Sequence, residues 1–553
     1  MENERAELHA FKNNNVNSKN SHIDDHPNII KMPDVPPVKR FGLGYEIFHG
    51  MKLNPNTIAQ YVADTDESQT YAELLDLCTR VAINLKNENL LDDDIVGLCV
   101  ENHKHSCAPY IASLFLGYKL VALDPGLTAE DKSKLLLKVT PRIMFVDAHL
   151  LQNMIDTLEI AKLDIKLVVI GENASGQTSF SQFLEAPGEE IDRFEPVIVE
   201  DIERTAIIFF GSGTTGVTKG ICISHYGLLA RTEGPTISVS TIFAQLNWIS
   251  YTLLLIGTLR KGTTRVLVNN FEIDKLWQLI ENYKISFIFA SVFQVAAIAE
   301  SEVPNDVDIS AFRFLVTGGS VLPLAVVEKM NERFPNVITV QGYGLTEMGG
   351  PVFIFSIMNP EHRKWRKEKP TSCGAPMSGI WYKVVDVETE EILGPGKPGE
   401  LRMKSKLGMV GYYNMDTSEG YDSEGWLKTG DIVKYDEDHC FYVVDRLKEM
   451  IKYRCWTISP SAIEDVLMSH PAVDIAAVIG IPHEEESDFP MGIVTLKKDC
   501  SASPEEIAEY VNQRVIDRQK LRAGVKIISE MPFTSTGKII KRVLRRKVMN
   551  GEL

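Results

Sequence analysis

The segment Phe210–Gly220 concentrates residue types that can bind an anionic group. It reads FGSGTTGVTKG, so glycines, hydroxyl side chains and one lysine fall within eleven positions. Glycine lets backbone N–H groups approach an anion closely, hydroxyls donate hydrogen bonds, and lysine adds positive charge. The residues that combine these properties are Ser212, Gly213, Thr214, Thr215, Gly216 and Lys219. Their composition and spacing predict a phosphate-binding loop.

The same glycines also fit a dinucleotide-binding turn or a simple surface turn. Gly211-x-Gly213-x-x-Gly216 matches the dinucleotide-binding spacing, and Glu233 follows about twenty residues later. Glu233 lies in ARTEGP, however, and not at the end of an apolar strand. A Gly-x4-Gly-Lys-Ser/Thr loop cannot be read here. A dinucleotide site and a surface turn therefore remain as alternatives to a phosphate loop.

Strands and helices alternate around this loop. Ala206–Phe210 is a short apolar run that predicts a buried strand leading into the glycines. Further on, SFIFAS, FRFLVTGGS and NVITVQGYG predict strands, and LPLAVVEKMNERF predicts a helix. Apolar residues between Leu276 and Tyr283 repeat at helical spacing, and Asp274 is placed to cap that helix. This alternation predicts an α/β fold with parallel sheets covered by helices.

The two ends of the chain differ from this middle part. Residues 1–40 are polar and rich in proline, which predicts a disordered tail. Near the other end, Ser503-Pro504-Glu505-Glu506 is typical of a capped helix start, and a strand and a basic helix follow. The charged stretch Asp445–Glu449 separates two apolar runs. We therefore predict a large domain over 41–446 and a small α+β domain over 447–553.

Composition restricts the class of function. The 553 residues include 58 Lys and Arg against 75 Asp and Glu, a formal net charge of −17, which argues against a nucleic-acid partner. The eight cysteines are scattered, which argues against a disulfide scaffold or a cysteine zinc site. The most apolar stretches are too short or too interrupted to span a membrane. These features predict a protein of several domains, without a transmembrane segment, in a reducing compartment, and they do not exclude an anionic substrate.

Four further motifs follow the glycine-rich loop in a fixed order. They are Gly342-Tyr-Gly-Leu-Thr-Glu347, Thr429-Gly-Asp431, Asp445-Arg-Leu-Lys-Glu-Met-Ile-Lys452 and Pro532-Phe-Thr-Ser-Thr-Gly-Lys538. Together the five segments resemble the adenylate-forming enzymes, which include acyl-CoA synthetases, 4-coumarate–CoA ligases and beetle luciferases. The resemblance extends from about residue 45 to the C-terminus. It implies a large region of parallel-sheet αβαβα layers with a β-barrel-like subdomain, and a small mobile C-terminal lid.

The resemblance also implies a reaction in two halves. A carboxylate attacks the α-phosphate of ATP and releases pyrophosphate, and a thiol, usually that of CoA, then displaces AMP. Both substrates of the first half are anions, so cations and fixed donors must offset their repulsion. By resemblance, Ser212, Thr214, Thr215 and Lys219 hold the β- and γ-phosphates.

The second motif corresponds to the adenine and α-phosphate region. Tyr343 resembles the residue that stacks on adenine, and Thr346 the one that contacts the α-phosphate. Glu347 resembles the residue that holds Mg²⁺, with Thr215 as a second donor, since a carboxylate beside phosphates requires a cation between them. The glycines that resemble the backbone bordering this region are Gly318, Gly319, Gly342 and Gly344.

The later motifs supply the ribose and lid functions. Asp431 resembles the ribose clamp, and Arg446 supports it. Lys538 resembles the lysine of the adenylation half-reaction. Lys448 matches the hinge about which the lid swings, and Lys452 matches the lysine that serves the second half-reaction.

Several positions depart from the family pattern. Cys455 replaces the glycine that lines the approach of the CoA thiol, which puts thioester formation in doubt. Thr218 replaces the proline before Lys219, and Ala462 replaces a glutamate.

The expected acyl pocket also departs from that of luciferases. Their His-His-Gly-Phe segment corresponds to residues 247–250, so Trp248 and Ser250 are expected at the pocket, with Trp248 either a gate or wall of it or an ordinary core tryptophan. Pro351 follows Gly350 where luciferases carry a small residue, and Arg231 aligns with an arginine near the substrate and CoA entrance.

These observations predict an ATP-dependent acyl-CoA synthetase that activates a carboxylic acid, expected to be a fatty acid, with ATP, Mg²⁺ and CoA. A luciferase-like monooxygenase, or a paralogue that binds or adenylates its acid without thiolation, is the alternative. The polar N-terminus shows no signal peptide, which predicts a cytoplasmic enzyme. A peroxisomal site stays open by resemblance, although the C-terminal Gly-Glu-Leu is not a Ser-Lys-Leu-type signal. Acyl chain length and oligomeric state cannot be read from the sequence.

Overall fold

The computed structural model of the 553-residue chain describes residues 26–36, 41–172, 174–186, 188–211, 218–453, 456–483, 487–533 and 538–553, except the side chains of 452, 456, 457 and 487. Its α-helices are Leu43–Lys52, Tyr71–Asn87, Ala108–Phe115, Ala129–Val139, Leu151–Ala161, Phe180–Phe183, Gly188–Asp192, His225–Arg231, Ile249–Lys261, Ile273–Tyr283, Val292–Glu300, Leu324–Arg333, Pro360–Glu368, Pro460–Met468, Pro504–Asn512 and Lys541–Met549. Among the helices described, none combines the length and apolar character needed to cross a bilayer.

Sheet 1 has eight strands and carries both ends of the glycine-rich loop. In spatial order they are Gly411–Tyr412, Lys219–Ser224, Thr205–Gly211, Lys119–Ala122, Ile95–Cys99, Ile143–Asp147, Lys166–Ile170 and Thr178–Ser179. The six strands from Thr205–Gly211 onward are parallel, and the other two pair antiparallel. The predicted strand at 206–210 is therefore confirmed, in a sheet that is mixed at one edge.

Sheet 2 has nine strands. In spatial order they are Ala375–Pro376, Gly350–Ile354, Ile338–Leu345, Phe314–Gly318, Phe287–Ser291, Val239–Ile242, Thr264–Leu267, Ile58–Val62 and Glu67–Thr70. The central six are parallel and the outer pairs antiparallel. The helix predicted near Leu276 spans Ile273–Tyr283, so Asp274 lies inside its first turn and Glu272 precedes it. The prediction of Asp274 as the cap is wrong, although a carboxylate in the first turn still favours the helix dipole.

The β-rich subdomain is a five-stranded antiparallel sheet. Its strands, in order, are Ile30–Lys31, Trp381–Val385, Gly399–Lys404, Leu427–Tyr435 and Phe441–Arg446. The first strand corrects the prediction that residues 1–40 form a disordered tail, because Ile29 and Ile30 are buried and the strand pairs with Trp381 and Tyr382. A two-residue edge strand gave no periodic signal in the sequence. Residues 1–25 and 37–40 lie outside the described part of the chain.

The C-terminal region from residue 447, named the lid below, has its own sheet and apolar core. Its strands are Trp456–Ile458, Ile451–Tyr453, Ser487–Leu496, Val473–His483 and Val525–Ile527. Ile463, Leu467 and Ile507 are fully buried in a cluster made only of lid residues. Ser503 accepts a hydrogen bond from the Glu506 N–H at 3.1 Å, which starts helix Pro504–Asn512 as the sequence predicts. The α/β fold with a large N-terminal and a small C-terminal domain is confirmed.

Candidate functional site

The glycine-rich segment joins two antiparallel strands of sheet 1. Gly211 ends the first strand and lies opposite Lys219, which begins the second. The dinucleotide hypothesis is therefore wrong, because its glycine turn must lead into a helix, and here a strand follows. The predicted phosphate ligands between the two strands lie outside the described residues: Ser212, Gly213, Thr214, Thr215 and Gly216. Their phosphate-binding role stays a prediction.

Lys219 places a buried positive charge near the acid of the next motif. Its side chain is buried, and its Nζ lies 4.3 Å from the ring centroid of Tyr412, which belongs to the edge strand of sheet 1. Glu347 lies in a short 3-10 helix, Thr346–Met348, directly after strand Ile338–Leu345. The Lys219 ammonium acts on Glu347 electrostatically, and so couples the glycine-rich loop to this motif.

Glu347 is a buried carboxylate that suits a cation. Burial raises its pKa above the ordinary glutamate value, against the opposing effect of Arg446 and Lys219. Among the described residues, no group of three or more His, Cys, Asp or Glu side chains is arranged to hold a metal. Magnesium commonly takes one or two carboxylates and completes its shell with substrate phosphates and water, so one buried glutamate beside a phosphate loop fits it.

Asp431 is held at both carboxylate oxygens. The Tyr343 hydroxyl donates to Oδ2 at 2.6 Å, and Arg446 Nε lies 3.1 Å from Oδ1. Arg446 is also the cross-strand partner of Asp431 in the five-stranded sheet. Burial and the nearby carboxylate of Asp431 raise the pKa of Tyr343, so it stays a neutral donor. The ring of Tyr343 stacks on Phe353 with centroids 5.5 Å apart, which fixes the orientation of a flat aromatic surface beside the acid.

Glycines form the floor between these residues and the lid. Gly318, the last residue of its strand, is the cross-strand partner of Gly342 in the neighbouring parallel strand of sheet 2, and Gly344 follows in that second strand. Gly319 has φ +90°, and a β-carbon placed on it would lie 3.5 Å from Lys538 Cε and 3.9 Å from Nζ. The lid therefore lays Lys538 directly over the glycine floor.

Lys538 is electrostatically coupled to the same residues. Burial lowers its pKa below the ordinary lysine value, Arg446 lowers it further, and Asp431 opposes the shift. A buried ammonium at the meeting point of two substrate anions has the charge needed to stabilise the negative charge that develops as they react. The structure thus brings together residues from all five sequence motifs: Lys219, Tyr343, Glu347, Asp431, Arg446 and Lys538.

The hinge region follows Arg446 without interruption. Lys448 lies in the 3-10 helix Leu447–Glu449, and burial lowers its pKa. Lys452 belongs to strand Ile451–Tyr453, but its side chain is outside the described part of the chain, as is Cys455. The assigned roles of Lys448, Lys452 and Cys455 therefore stay predictions.

The four residues predicted for the acyl pocket fall in two places. Trp248 precedes helix Ile249–Lys261, which contains Ser250, and it lines a cavity of about 750 Å³ with Gly211, Thr218 and the lid residue Arg542. Gly350 and Pro351 lie on sheet 2, where a β-carbon on Gly350 would come 2.7 Å from Leu253 Cδ1.

Arg231 braces the backbone on which Gly350 and Pro351 lie. Its guanidinium donates to Met348 O at 2.8 Å and to Pro351 O at 2.7 Å. Burial lowers its pKa to about 10, so it remains charged at neutral pH. The guanidinium thus fixes the segment Met348–Pro351, which connects Glu347 to Gly350.

Sequence reasoning missed two groups that support the site. Glu400, in strand Gly399–Lys404, accepts a hydrogen bond from the Gly430 N–H beside Asp431. Asp445 accepts hydrogen bonds from Ser459 and Ser461 across the predicted hinge. A charged residue in the middle of the strand sequence Gly-Glu-Leu-Arg-Met was a usable signal for Glu400, since buried charges require partners.

Comparison with known proteins finds similar sequences over most of the chain. The family described as AMP-binding enzyme matches residues 48–413, and the AMP-binding enzyme C-terminal domain matches residues 462–538. Luciferin 4-monooxygenase of Photuris pensylvanica is 30% identical over 507 residues, 88% of this chain and 91% of that protein. The probable 4-coumarate–CoA ligase 3 of Dictyostelium discoideum is 28% identical over 563 residues, 96% and 98% of the two chains. A solved luciferase-like enzyme from the nonluminescent mealworm Zophobas morio has a TM-score of 0.73 and 35% identity, covering 76% of this chain and all of that one.

Proposed function

Since the chain belongs to the family of AMP-binding enzymes, which form adenylates, we propose that it is an acyl-CoA synthetase. It activates a carboxylic acid with ATP to give an acyl-adenylate and pyrophosphate, and it then transfers the acyl group to the thiol of CoA. The observation that carries the proposal is the position of Lys538 over Gly319, where Asp431 and Arg446 of the Tyr343–Asp431–Arg446 group act on it electrostatically.

Each of these residues has a distinct task in the first half-reaction. Asp431 accepts hydrogen bonds from the ribose hydroxyls, and the Tyr343 ring stacks on adenine. Mg²⁺ on Glu347 supplies charge neutralisation at the phosphates. Lys538 offsets the repulsion between the carboxylate and the α-phosphate, and stabilises the charge that accumulates as the new bond forms.

An apolar acid, of the fatty-acid class, fits the surroundings of this site. Trp248, Leu253, Phe289 and Met377 are partly buried hydrophobic residues packed against the main core, as is Tyr343. Partly exposed apolar side chains of this kind can cover a hydrocarbon chain, and burial of apolar surface would then supply the binding free energy.

A non-thiolating enzyme, which stops at the acyl-adenylate, is the second candidate. The observation that favours it is Cys455, which replaces a glycine on the path of the CoA thiol in the family. A luciferase-like oxygenation is disfavoured, because the histidine and phenylalanine of the luciferase pocket correspond to Trp248 and Ser250 here.

One experiment separates these candidates. Pyrophosphate release is measured with ATP and Mg²⁺ across carboxylic acids of increasing chain length, with and without CoA, and acyl-AMP and acyl-CoA are quantified. We expect pyrophosphate with aliphatic acids and acyl-CoA when CoA is present. Acyl-AMP without acyl-CoA would support the non-thiolating enzyme, and a Cys455→Gly variant that restores acyl-CoA would assign the block to that side chain. No pyrophosphate with any acid would overturn the proposal.

A further inference from the structure

The strand that carries Asp431 is interrupted at this residue. Glu400 pairs with Ile432, and Arg402 pairs with Lys428. The first strand advances two residues between these pairs, whereas the strand that carries Asp431 advances four. Two extra residues are therefore accommodated in the segment Thr429–Asp431. Such a bulge changes the direction of the side chains it carries, and it leaves backbone N–H groups without a strand partner.

Side chains and backbone of the neighbouring strand satisfy this bulge. Glu400 Oε1 accepts a hydrogen bond from the Gly430 N–H at 3.2 Å. The Thr429 hydroxyl donates to Leu401 O at 2.7 Å and accepts from the Asp431 N–H at 3.1 Å. Gly430 has φ +67°, in the left-handed region. The backbone on both sides of Asp431 is thus anchored, and one of the anchors is a carboxylate.

The Glu400 carboxylate is itself immobilised. Its Oε2 accepts from Arg402 Nε at 2.9 Å, and both side chains are only 5–7% exposed. Arg402 also binds the carboxylate of Glu390 through both of its terminal nitrogens, at 2.5 and 2.8 Å. One Glu400 oxygen therefore binds the buried Arg402 cation and the other binds the bulge. Because Arg402 fixes the carboxylate, the carboxylate in turn fixes the position of Gly430.

We propose that Glu400 is a positioning residue for nucleotide binding, because it holds the Thr429–Asp431 bulge in the shape that presents the Asp431 carboxylate to ribose. The inference rests on the proposed function, in which Asp431 binds the ribose hydroxyls. Glu400 touches neither ATP nor acid. It acts through the Gly430 backbone, and its loss alters recognition of the sugar rather than the chemical step.

Glu400→Gln is the matched test. A carboxylate accepts both hydrogen bonds, whereas an amide has one acceptor oxygen, and its NH₂ group must face either Arg402 or the Gly430 N–H. Because a hydrogen bond to the buried cation is the stronger one, we expect the amide oxygen to stay on Arg402 and the NH₂ to push the bulge away. The expected result is a rise in the KM for ATP of about tenfold, with kcat changed less than about twofold.

The decisive readout is selectivity for the sugar. The ratio of kcat/KM for ATP over 2′-deoxyATP is measured by pyrophosphate release in wild type, Glu400→Gln, Glu390→Gln and Asp431→Asn. Glu390→Gln weakens the ion pair on the same arginine but makes no hydrogen bond to the bulge, so it controls for the altered environment of Arg402. We expect the ratio to fall toward unity in Glu400→Gln and Asp431→Asn, and to remain at the wild-type value in Glu390→Gln.

The outcomes separate the two levels of the proposal. Wild-type selectivity in Glu400→Gln, or an equal loss in Glu390→Gln, would overturn the positioning role. A wild type that neither binds ATP in calorimetry nor releases pyrophosphate would overturn the proposed function instead. If thermal unfolding shows that Glu400→Gln does not fold, Thr429→Val removes the other anchor without disturbing a charge. It must then reproduce the loss of sugar selectivity for the proposal to hold.

Discussion

The Asp445 carboxylate accepts two hydrogen bonds from Ser461, from the backbone N–H at 3.1 Å and from the hydroxyl at 3.0 Å. The Ser459 hydroxyl donates to the same oxygen at 2.7 Å. Asp445 belongs to strand Phe441–Arg446 of the five-stranded sheet, whereas both serines lie at the start of lid helix Pro460–Met468. These bonds cross the predicted hinge at Lys448. They therefore favour the lid orientation in which Lys538 lies over Gly319.

Removal of the two hydroxyls should release the lid. In a Ser459→Ala, Ser461→Ala double variant, Asp445 retains only the Ser461 N–H of these three donors, and we expect this orientation to lose about 1–2 kcal/mol. Thioester formation from supplied acyl-AMP and CoA should accelerate about threefold to tenfold, while pyrophosphate release changes little. Ser469→Ala is the control, because its hydroxyl bonds Val466 O within the lid. An unchanged ratio of the two half-reactions would contradict the clamp.

The two lysines of the lid should fail in different half-reactions. Lys538→Ala removes the ammonium over Gly319, so we expect pyrophosphate release to fall at least about a hundredfold, as is typical when a group that stabilises a developing charge is lost. Thiolation of supplied acyl-AMP should persist. Lys452→Ala should show the reverse pattern in single-turnover measurements. Equal loss of both half-reactions in both variants would be incompatible with a lid that presents two faces.

The pH profile of pyrophosphate release should be narrower than unperturbed groups would give. Lys538 must be protonated to act, and its lowered pKa means that activity is lost early as pH rises. Glu347 must be ionised to hold Mg²⁺, and its raised pKa means that activity is lost early as pH falls. The profile of kcat/KM for ATP, which reports the groups of the free enzyme, should therefore be bell-shaped.

Two charge variants should move this profile in opposite directions. Arg446 lowers the pKa of both Glu347 and Lys538, so Arg446→Gln should shift both limbs to higher pH. Asp431 raises the pKa of both groups, so Asp431→Asn should shift both limbs to lower pH. If both variants shifted the pH profile in the same direction, the assignment of its two limbs to Glu347 and Lys538 would be refuted.

The contact between Gly350 and Leu253 allows a test of whether these two residues form a wall of the acyl pocket. A β-carbon at Gly350, where φ is +136°, would lie 2.7 Å from Leu253 Cδ1. Gly350→Ala should therefore lower the free energy of unfolding by about 1–3 kcal/mol and raise the activation free energy of adenylation by a similar amount. Leu253→Ala should accept longer acids in the chain-length panel. The double variant should recover part of the loss, since the two residues are in contact. If the effects of the two single variants add in the double variant, and Leu253→Ala leaves the chain-length profile unchanged, the acyl chain binds elsewhere.

Local sequence patterns predicted the regular elements around the site well. Buried strands and amphipathic helices show their burial pattern in consecutive residues. The sequence could therefore predict the strands at 206–210 and 314–318 and the helix Leu324–Arg333. The order of the motifs likewise predicted which residues meet at the site. The rule that parallel strands end at one edge of a sheet accounts only for Gly318 and Gly342, whereas Asp431, Arg446 and Lys538 come from other parts of the fold, and their meeting was predicted by the family resemblance alone.

Contacts between residues distant in sequence could not be predicted in this way. Ile30 pairs with Tyr382, more than three hundred residues away, and a two-residue strand has no period to detect. The role of Glu400 depends on a register shift between two strands, which no local pattern specifies. The serines that bond Asp445 gave no signal of their own, because their partner lies across the hinge.

The walls for the two proposed substrates come from different parts of the fold. The Gly350–Leu253 wall is built from sheet 2 and helix Ile249–Lys261, whereas the Asp431 bulge belongs to the five-stranded sheet. The proposal therefore implies that the two specificities can be engineered separately. If the proposed roles hold, diversifying helix Ile249–Lys261 should change which acid is accepted and leave recognition of the sugar by the strands that carry Asp431 unchanged.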